Sequence, residues 1–254
     1  MLRSLSVMEA DRLVTLLTPT AGKLRATVRG ARRVTSRLGG HLDVFNRVSL
    51  NLTKGRTFDL VTGAETIEAF AELKRDLHRI ALALYLMELA DAIVPEDAPH
   101  PNAYRLLLES LRSLNESGSN PVIPRYVELR LLEEAGYMPE LRRCVACDAE
   151  VGAGQLWYGP ELGGVLCGAC GGQQGKAFTL SVDALKALRF FAGYGFADAL
   201  RLRLEPALEE ELEALLSVAL QHVLERGMAS SGFLDHLRRL RTDGGYISST
   251  VARP

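Results

Sequence analysis

Lys23-Leu24-Arg25-Ala26-Thr27-Val28-Arg29 alternates strictly between apolar and polar residues, and this period decides how the N-terminal part of the chain is read. Side chains along a β-strand point to opposite faces in turn. Leu24, Ala26 and Val28 therefore take one face, and Lys23, Arg25, Thr27 and Arg29 the other. The preceding run, Leu13-Val-Thr-Leu-Leu-Thr18, is strand-like, and Pro19-Thr-Ala-Gly22 supplies turn residues between the two. Downstream, Val44, Val48, Leu50 and Leu52 share a face against Arg47, Ser49 and Asn51. Lys54-Gly55-Arg56 then turns into Thr57-Phe58-Asp59-Leu60-Val61-Thr62. Four or five short strands in about 65 residues suit a small barrel of OB-fold size, and an SH3-like barrel would read similarly.

The pattern then becomes helical. Residues 70–94 read as one long helical stretch that ends before the proline-rich loop 95–101. A second helix opens at Pro101 or Asn102 and runs to about Asn115; Asn120-Pro121 opens a third, which Gly136 closes. Helices resume at Ser181, a good N-cap, and again over 206–227, with Glu209, Glu210 and Glu211 in the first turn. Residues 233–240 form a short basic segment with Arg238 and Arg239, followed by Arg241, and 242–254 read as a frayed polar tail.

All four cysteines of the chain fall in Cys144-Val-Ala-Cys147 and Cys167-Gly-Ala-Cys170. Two Cys-x-x-Cys pairs at this separation match a four-thiolate zinc site. Gly168 and Gly171 supply permissive backbone next to the second pair. Two disulfides are the competing reading. Residues 1–9 lack the apolar run of a secretory signal, so a reducing cytoplasmic environment is expected, which favours the metal. Four protein ligands close the tetrahedron and leave no position for a reactive water, so one structural zinc per chain is expected. Gly152, Gly154, Gly159, Gly163 and Gly164 are expected to form loops around Trp157-Tyr158, offering that pair to a partner.

The fold class is therefore α+β multidomain: an N-terminal OB-fold β-barrel followed by an all-α domain carrying a four-cysteine zinc-binding insertion. Expected boundaries are 1–79 for the barrel, 80–143 for the first part of the helical domain and 144–175 for the zinc module. The second helical part is expected over 176–241, and a flexible tail over 242–254.

With 47% hydrophobic residues in 254, the chain can bury a substantial core. The longest apolar run, 80–94, is interrupted by Glu88 and Asp91, so it reads as a core helix rather than a membrane span. The net charge is −1, yet residues 1–60 hold eleven Lys/Arg against four acids. That asymmetry points to a polyanion partner. The densest part, 23–37, contains Lys23, Arg25, Arg29, Arg32, Arg33 and Arg37 and no acid. A cationic strand face followed by a cationic loop suits a phosphate backbone, and a solvated charged face is the plainer alternative. In the barrel, Phe45 and Phe58 are the two rings able to stack on a base. Binding is thus expected to be dominated by charge, sensitive to salt and weakly base-specific. The five histidines are scattered, and neither a nucleotide-binding loop nor a His-Glu-x-x-His pair occurs, so the chain reads as a non-enzyme.

Asp11-Arg-Leu-Val-Thr-Leu-Leu-Thr18, Gly22-Lys23-Leu24-Arg25-Ala26, Val28-Arg29-Gly30-Ala31-Arg32-Arg33 and Ser36-Arg37-Leu38-Gly39-Gly40 resemble the N-terminal motifs of the RecO family of bacterial recombination mediators. The resemblance runs through the helical region and the cysteine pairs to Phe233-Leu-Asp-His-Leu-Arg-Arg-Leu240. It implies an OB-fold, a helical domain and a zinc-binding insertion in a protein that does no covalent chemistry. It further implies binding to single- and double-stranded DNA and annealing of complementary strands. With its partner RecR, such a protein helps RecA replace single-strand-binding protein at gaps and breaks. Contact with the acidic, apolar C-terminal tail of single-strand-binding protein would use a groove in the helical domain. The implied location is the bacterial cytoplasm, at the nucleoid, with no membrane contact. On this basis Lys23, Arg25, Arg29, Arg32, Arg33 and Arg37 are the expected DNA contacts, with Arg238, Arg239 and Arg241 as a second patch. A protein-interaction scaffold whose barrel binds protein rather than DNA is the competing reading, and a nuclease a third.

Overall fold

The computed structural model describes residues 1–224 apart from Met8, Val34, Thr35 and Asp97. The expected basic segment 233–240, Arg241 and the tail lie outside the described residues. Five strands come first: β1 (Arg3–Val7), β2 (Asp11–Thr18), β3 (Gly22–Val28), β4 (Arg47–Thr53) and β5 (Asp59–Glu68). They form one sheet in the order β1-β2-β3-β5-β4, antiparallel except for the parallel pair β3 and β5. Such an order gives the Greek-key form of a five-stranded, partly open barrel, the OB-fold. The alternation works as read, since Val14, Leu16, Ala26, Val28 and Val61 fill the barrel's own core.

Three long helices follow: α1 (Leu77–Ile93), α2 (Pro101–Glu116) and α3 (Val122–Glu134). The single stretch expected over 70–94 is in fact broken. A short 3-10 turn at Leu73–Arg75 ends at Asp76, which is extended. The Asp76 carboxylate accepts hydrogen bonds from the His78 and Arg79 N–H groups at 2.8 and 3.1 Å and so caps α1. Helix α1 is apolar on nearly all sides because α2, α3 and the 3-10 turn pack around it. The third helix begins and ends as its sequence suggests: the Asn120 carboxamide oxygen accepts from the Val122 N–H, and Gly136 adopts φ +81°.

The cysteine region holds a second, small sheet. Strands β6 (Leu156–Gly159), β7 (Gly164–Cys167) and β8 (Phe178–Leu180) pair antiparallel in the order β7-β6-β8, with the short helical turn α4 (Gly168–Gly171) after β7. Trp157-Tyr158 thus lies in a strand, not in a loop. Tyr158 is 1% exposed and belongs to the core, which removes it as a contact for a partner. Helix α5 (Val182–Gly193) is capped by Ser181, whose Oγ accepts from the Ala184 N–H. The short turn α6 (Phe196–Ala199) and helix α7 (Pro206–Val223) complete the described chain. Glu211 of α7 accepts from both the N–H and the hydroxyl of Ser181, each at 2.6 Å, tying α7 to the cap of α5.

The main hydrophobic core runs from Phe45 and Phe70 at the barrel through Leu86 and Leu129 to Tyr158, Leu166 and Leu215. Within it sits a polar group shared by three helices. Tyr85 Oη donates to Glu128 at 2.5 Å, Arg125 pairs with Glu128 at 3.1 Å, and Glu213 lies 3.6 Å from Arg125. Burial, reinforced by the neighbouring Glu128 carboxylate, holds the Tyr85 phenol far above its ordinary pKa. Among the described residues, no helix is long and apolar enough to cross a membrane.

Candidate metal centre and nucleic-acid interface

The first cysteine knuckle is a tight turn between α3 and β6. The Cys144 N–H donates to the Ala149 carbonyl and the Asp148 N–H to the Cys144 carbonyl, both at 2.8 Å. Asp148 takes φ +62°, and Arg143 grips its carboxylate with two bonds of 2.6 and 2.7 Å. Cys167 ends β7 and Cys170 sits on α4. The second knuckle needs a glycine at 171, because a Cβ there would stand 2.1 Å from the Trp157 ring. Arg189 of α5 donates to the carbonyls of Leu141 and Val151 at 2.8 and 2.6 Å, clamping both ends of the first knuckle to the helical domain.

The four Sγ atoms lie within 4.8 Å of one another, with Cys147 and Cys167 at 3.7 Å. Metal–sulfur bonds of about 2.3 Å in a tetrahedron give sulfur–sulfur edges of about 3.8 Å, so the donor set fits a metal ion. The protonation preferences agree. Burial pushes the Cys144 thiol up, but the N–H groups of Cys167, Ala146 and Cys147 outweigh it and bring the pKa down to about 6. Cys170 is pushed the other way, to about 12, chiefly by its hydrogen bonds with Cys147 and Cys167. One thiolate is favoured and a further one opposed, so four thiolates need a cation between them. All four expected ligands are therefore brought together in a cluster able to hold a metal ion.

The basic stretch is divided by the fold. Lys23 is 8% exposed; its Nζ donates to the Asp91 carbonyl at 2.6 Å and lies 3.4 Å from the Asp91 carboxylate. This corrects the expectation that Lys23 lies on a solvent face. Alternation does place it on the outer side of the sheet, but the end of α1 covers that side, and a lysine held there cannot meet a phosphate. Arg25 is exposed but paired with Glu96 at 2.5 Å. The missing acids are thus supplied from distant sequence. Arg29, Arg32, Arg33 and Arg37 are exposed and have no ion-pair partner among the described residues. The Gly30 N–H donates to the Asp11 carboxylate at 2.8 Å and the Arg32 N–H to the Ala10 carbonyl at 3.1 Å. These bonds fold the turn after β3 against the β1–β2 turn and gather Arg29, Arg32 and Arg33 at one end of the barrel. Phe45 is buried and belongs to the core, whereas Phe58 is 37% exposed. Sequence reading missed Arg3, exposed on β1, because the alternation Arg3-Ser-Leu-Ser-Val7 puts it on the face of Leu5 and Val7, which reads as the buried one although both are exposed.

The barrel is locked to the helices. Glu68, at the end of β5, accepts from Arg112 at 2.7 and 2.8 Å and from Arg47 at 2.6 Å. Hydrogen bonds from Arg112, then Arg47, outweigh the effect of burial and hold the Glu68 carboxyl down to about 2. A groove of about 1000 Å³, which Arg112 also lines, runs between α2, α3 and α6. Leu106, Tyr126, Phe196 and Leu200 line it, and its acidic side chains outnumber its arginines, with Arg130 paired to Glu133 at 2.8 Å.

Family models match both halves. One described as Recombination protein O N terminal covers residues 1–70, and one described as Recombination protein O C terminal covers residues 74–232. The DNA repair protein RecO of a Roseiflexus species is 40% identical over 247 residues, 96% of this chain and 87% of that protein. Its namesake in Dehalococcoides mccartyi is 35% identical over 230 residues, 91% of this chain and 90% of that protein. In Symbiobacterium thermophilum the DNA repair protein RecO is 36% identical over 243 residues, 94% of this chain and 96% of that protein. With both halves matched by its models and relatives of this similarity along most of its length, the chain belongs to the Recombination protein O family.

Proposed function

We propose that this protein is a non-enzymatic DNA-binding recombination mediator. It binds and anneals DNA strands and, with RecR, helps load RecA onto DNA coated by single-strand-binding protein during gap and double-strand-break repair. The observation that carries this reading is the set Arg29, Arg32, Arg33 and Arg37, exposed and without carboxylate partners among the described residues. Guanidinium groups left unpaired at a surface release counterions from a phosphate backbone, giving affinity that depends on salt and little on sequence. The names of the relatives, DNA repair protein RecO, support the same reading.

Annealing needs a second strand held nearby, and Arg238, Arg239 and Arg241 are proposed for it. The acidic, apolar tail of single-strand-binding protein is proposed to dock on the helical domain, in an apolar groove with a basic rim. The metal is proposed to be a single structural Zn²⁺, because four soft sulfur donors suit it and close its coordination. The proposed division is barrel 1–79, helical domain 80–143 and 176–241, metal module 144–175 and tail 242–254, in a protein acting at the bacterial nucleoid.

The test is binding of a single-stranded oligonucleotide by the variant Arg29→Ala/Arg33→Ala over a range of salt concentrations. Affinity is expected to fall for every sequence, and the dependence of log K on log salt to flatten by about 1.4 for two lost phosphate contacts. Unchanged affinity and slope overturn the placement. Labelled DNA held with the protein and Mg²⁺ or Mn²⁺ is expected to stay intact; cleavage that tracks the protein contradicts the non-enzymatic reading.

A further inference from the structure

The outer face of the barrel carries a row of side chains that charge does not explain. Leu5 of β1 pairs directly with Leu13 of β2, Leu13 with Thr27 of β3, and Thr27 with Leu60 of β5. Directly paired residues point to the same side of a sheet. Their sequence neighbours Val14, Ala26, Val28 and Val61 fill the barrel core, so the row faces outward across four adjacent strands. Leu5 is 42% exposed, and Leu13, Thr27 and Leu60 are partly exposed. None of the three leucines packs into either hydrophobic core.

Cations flank the row on both sides. Arg29, two residues beyond Thr27, is exposed and leads to Arg32 and Arg33. On the other side, Arg3 shares the neighbouring row with Thr15 and with Arg25, whose charge Glu96 offsets. Two residues along a strand span about 7 Å, comparable to the offset between a phosphate and its own base. Four strands span about 14 Å across, room for two or three splayed bases.

We propose that the Leu5–Leu13–Thr27–Leu60 row is a base-contact platform built of aliphatic side chains, which gives the barrel a preference for single-stranded over duplex DNA. This rests on the DNA-binding reading above. A duplex keeps its base faces stacked inside and meets the arginines alone, while a single strand presents phosphates to Arg29, Arg32 and Arg33 and apolar base faces to the leucines. A protein partner would compete for the same row. The row is interrupted by Thr27, is widened only by Val7 at β1, and has Arg3 and Arg29 beside it, which suits a polyanion carrying apolar plates better than a protein's apolar face.

The experiment measures binding of an oligothymidine and of a hairpin duplex of equal charge, by fluorescence anisotropy, to the full chain and to Leu5→Thr/Leu13→Thr/Leu60→Thr. Threonine keeps the strand preference and removes the aliphatic surface. Single-strand affinity is expected to fall about tenfold with an unchanged salt slope, while duplex affinity stays within about twofold. A second variant, Leu13→Phe, adds a ring to the row and is expected to tighten single-strand binding alone. Equal losses for both substrates, or none for either with Leu13→Phe also neutral, overturn the platform and leave the row to a protein partner or to no partner. If the unaltered chain binds neither DNA, the DNA-binding reading falls as well; if it binds both and the leucine variants are indifferent, the platform alone falls.

Discussion

Arg25 and Glu96 meet at 2.5 Å across the junction of β3 and the loop that follows α1, so a cation on the barrel's outer face is neutralised by an acid 71 positions away. Both side chains are nearly half exposed, so the pair adds little to stability. Its effect falls on the barrel's charge. Glu96→Gln is expected to release Arg25 to the DNA surface, tightening oligonucleotide binding and steepening the salt dependence by about 0.7 for one added phosphate contact. An unchanged slope in a salt titration would place Arg25 away from the DNA path.

Glu68 supplies a pH dependence with a definite sign. Its carboxyl is held at about 2, below the ordinary 4.5, so its contribution is complete above pH 4.5 and fades as the pH falls towards 2. Glu68→Gln is expected to cost about 1–2 kcal/mol at pH 7, since charge-assisted bonds to Arg47 and Arg112 are lost at a partly exposed site. Urea unfolding of both proteins from pH 7 down to 2.5 checks this: the gap narrows steadily below pH 4.5.

Tyr85→Phe removes one hydroxyl from the buried group around Glu128 and leaves a core carboxylate short of a donor. The expected loss is about 1–3 kcal/mol in chemical unfolding, far more than a surface Tyr→Phe change. DNA binding at low temperature is expected to be unaffected.

The metal centre makes a separable prediction. Native mass spectrometry is expected to find one zinc per chain, removed by a strong chelator. Cys144→Ser is expected to lower the melting temperature by on the order of 10 °C, as loss of a structural zinc ligand should. Zinc-free protein with an unchanged melting temperature would show that the cluster does not hold a structural ion.

Periodic features of the fold were legible in the sequence, and features that depend on covering surfaces were not. The alternation over 23–29 identified β3 and its inner face because each inner residue meets the same barrel core. It could not reveal that α1 lies over the outer side at Lys23, since no local pattern encodes a partner 68 positions away. The break at Asp76 was legible in principle, because an aspartate before a helical run is an N-cap signal; the continuous apolar pattern around it masked that signal. The clustering of the four cysteines was legible, because cysteine pairs at knuckle spacing have few other uses. Trp157-Tyr158 was misread because its many glycines suggest loops, while here they let strands and rings approach closely, as Gly171 does against Trp157.

Helices α3 and α5 pack against each other, yet the chain between them travels out through both cysteine knuckles and the β7-β6-β8 sheet before it returns. In an apo chain that detour is one long closed loop, and its entropy opposes docking of the two helices. Four bonds to a single ion would divide it into short segments before the helices meet. Arg189, reaching from α5 to the carbonyls of Leu141 and Val151, can then close on a turn that is already formed. With an ion bound, this geometry would make assembly of the helical half depend on the metal, whereas the barrel has its own separate core.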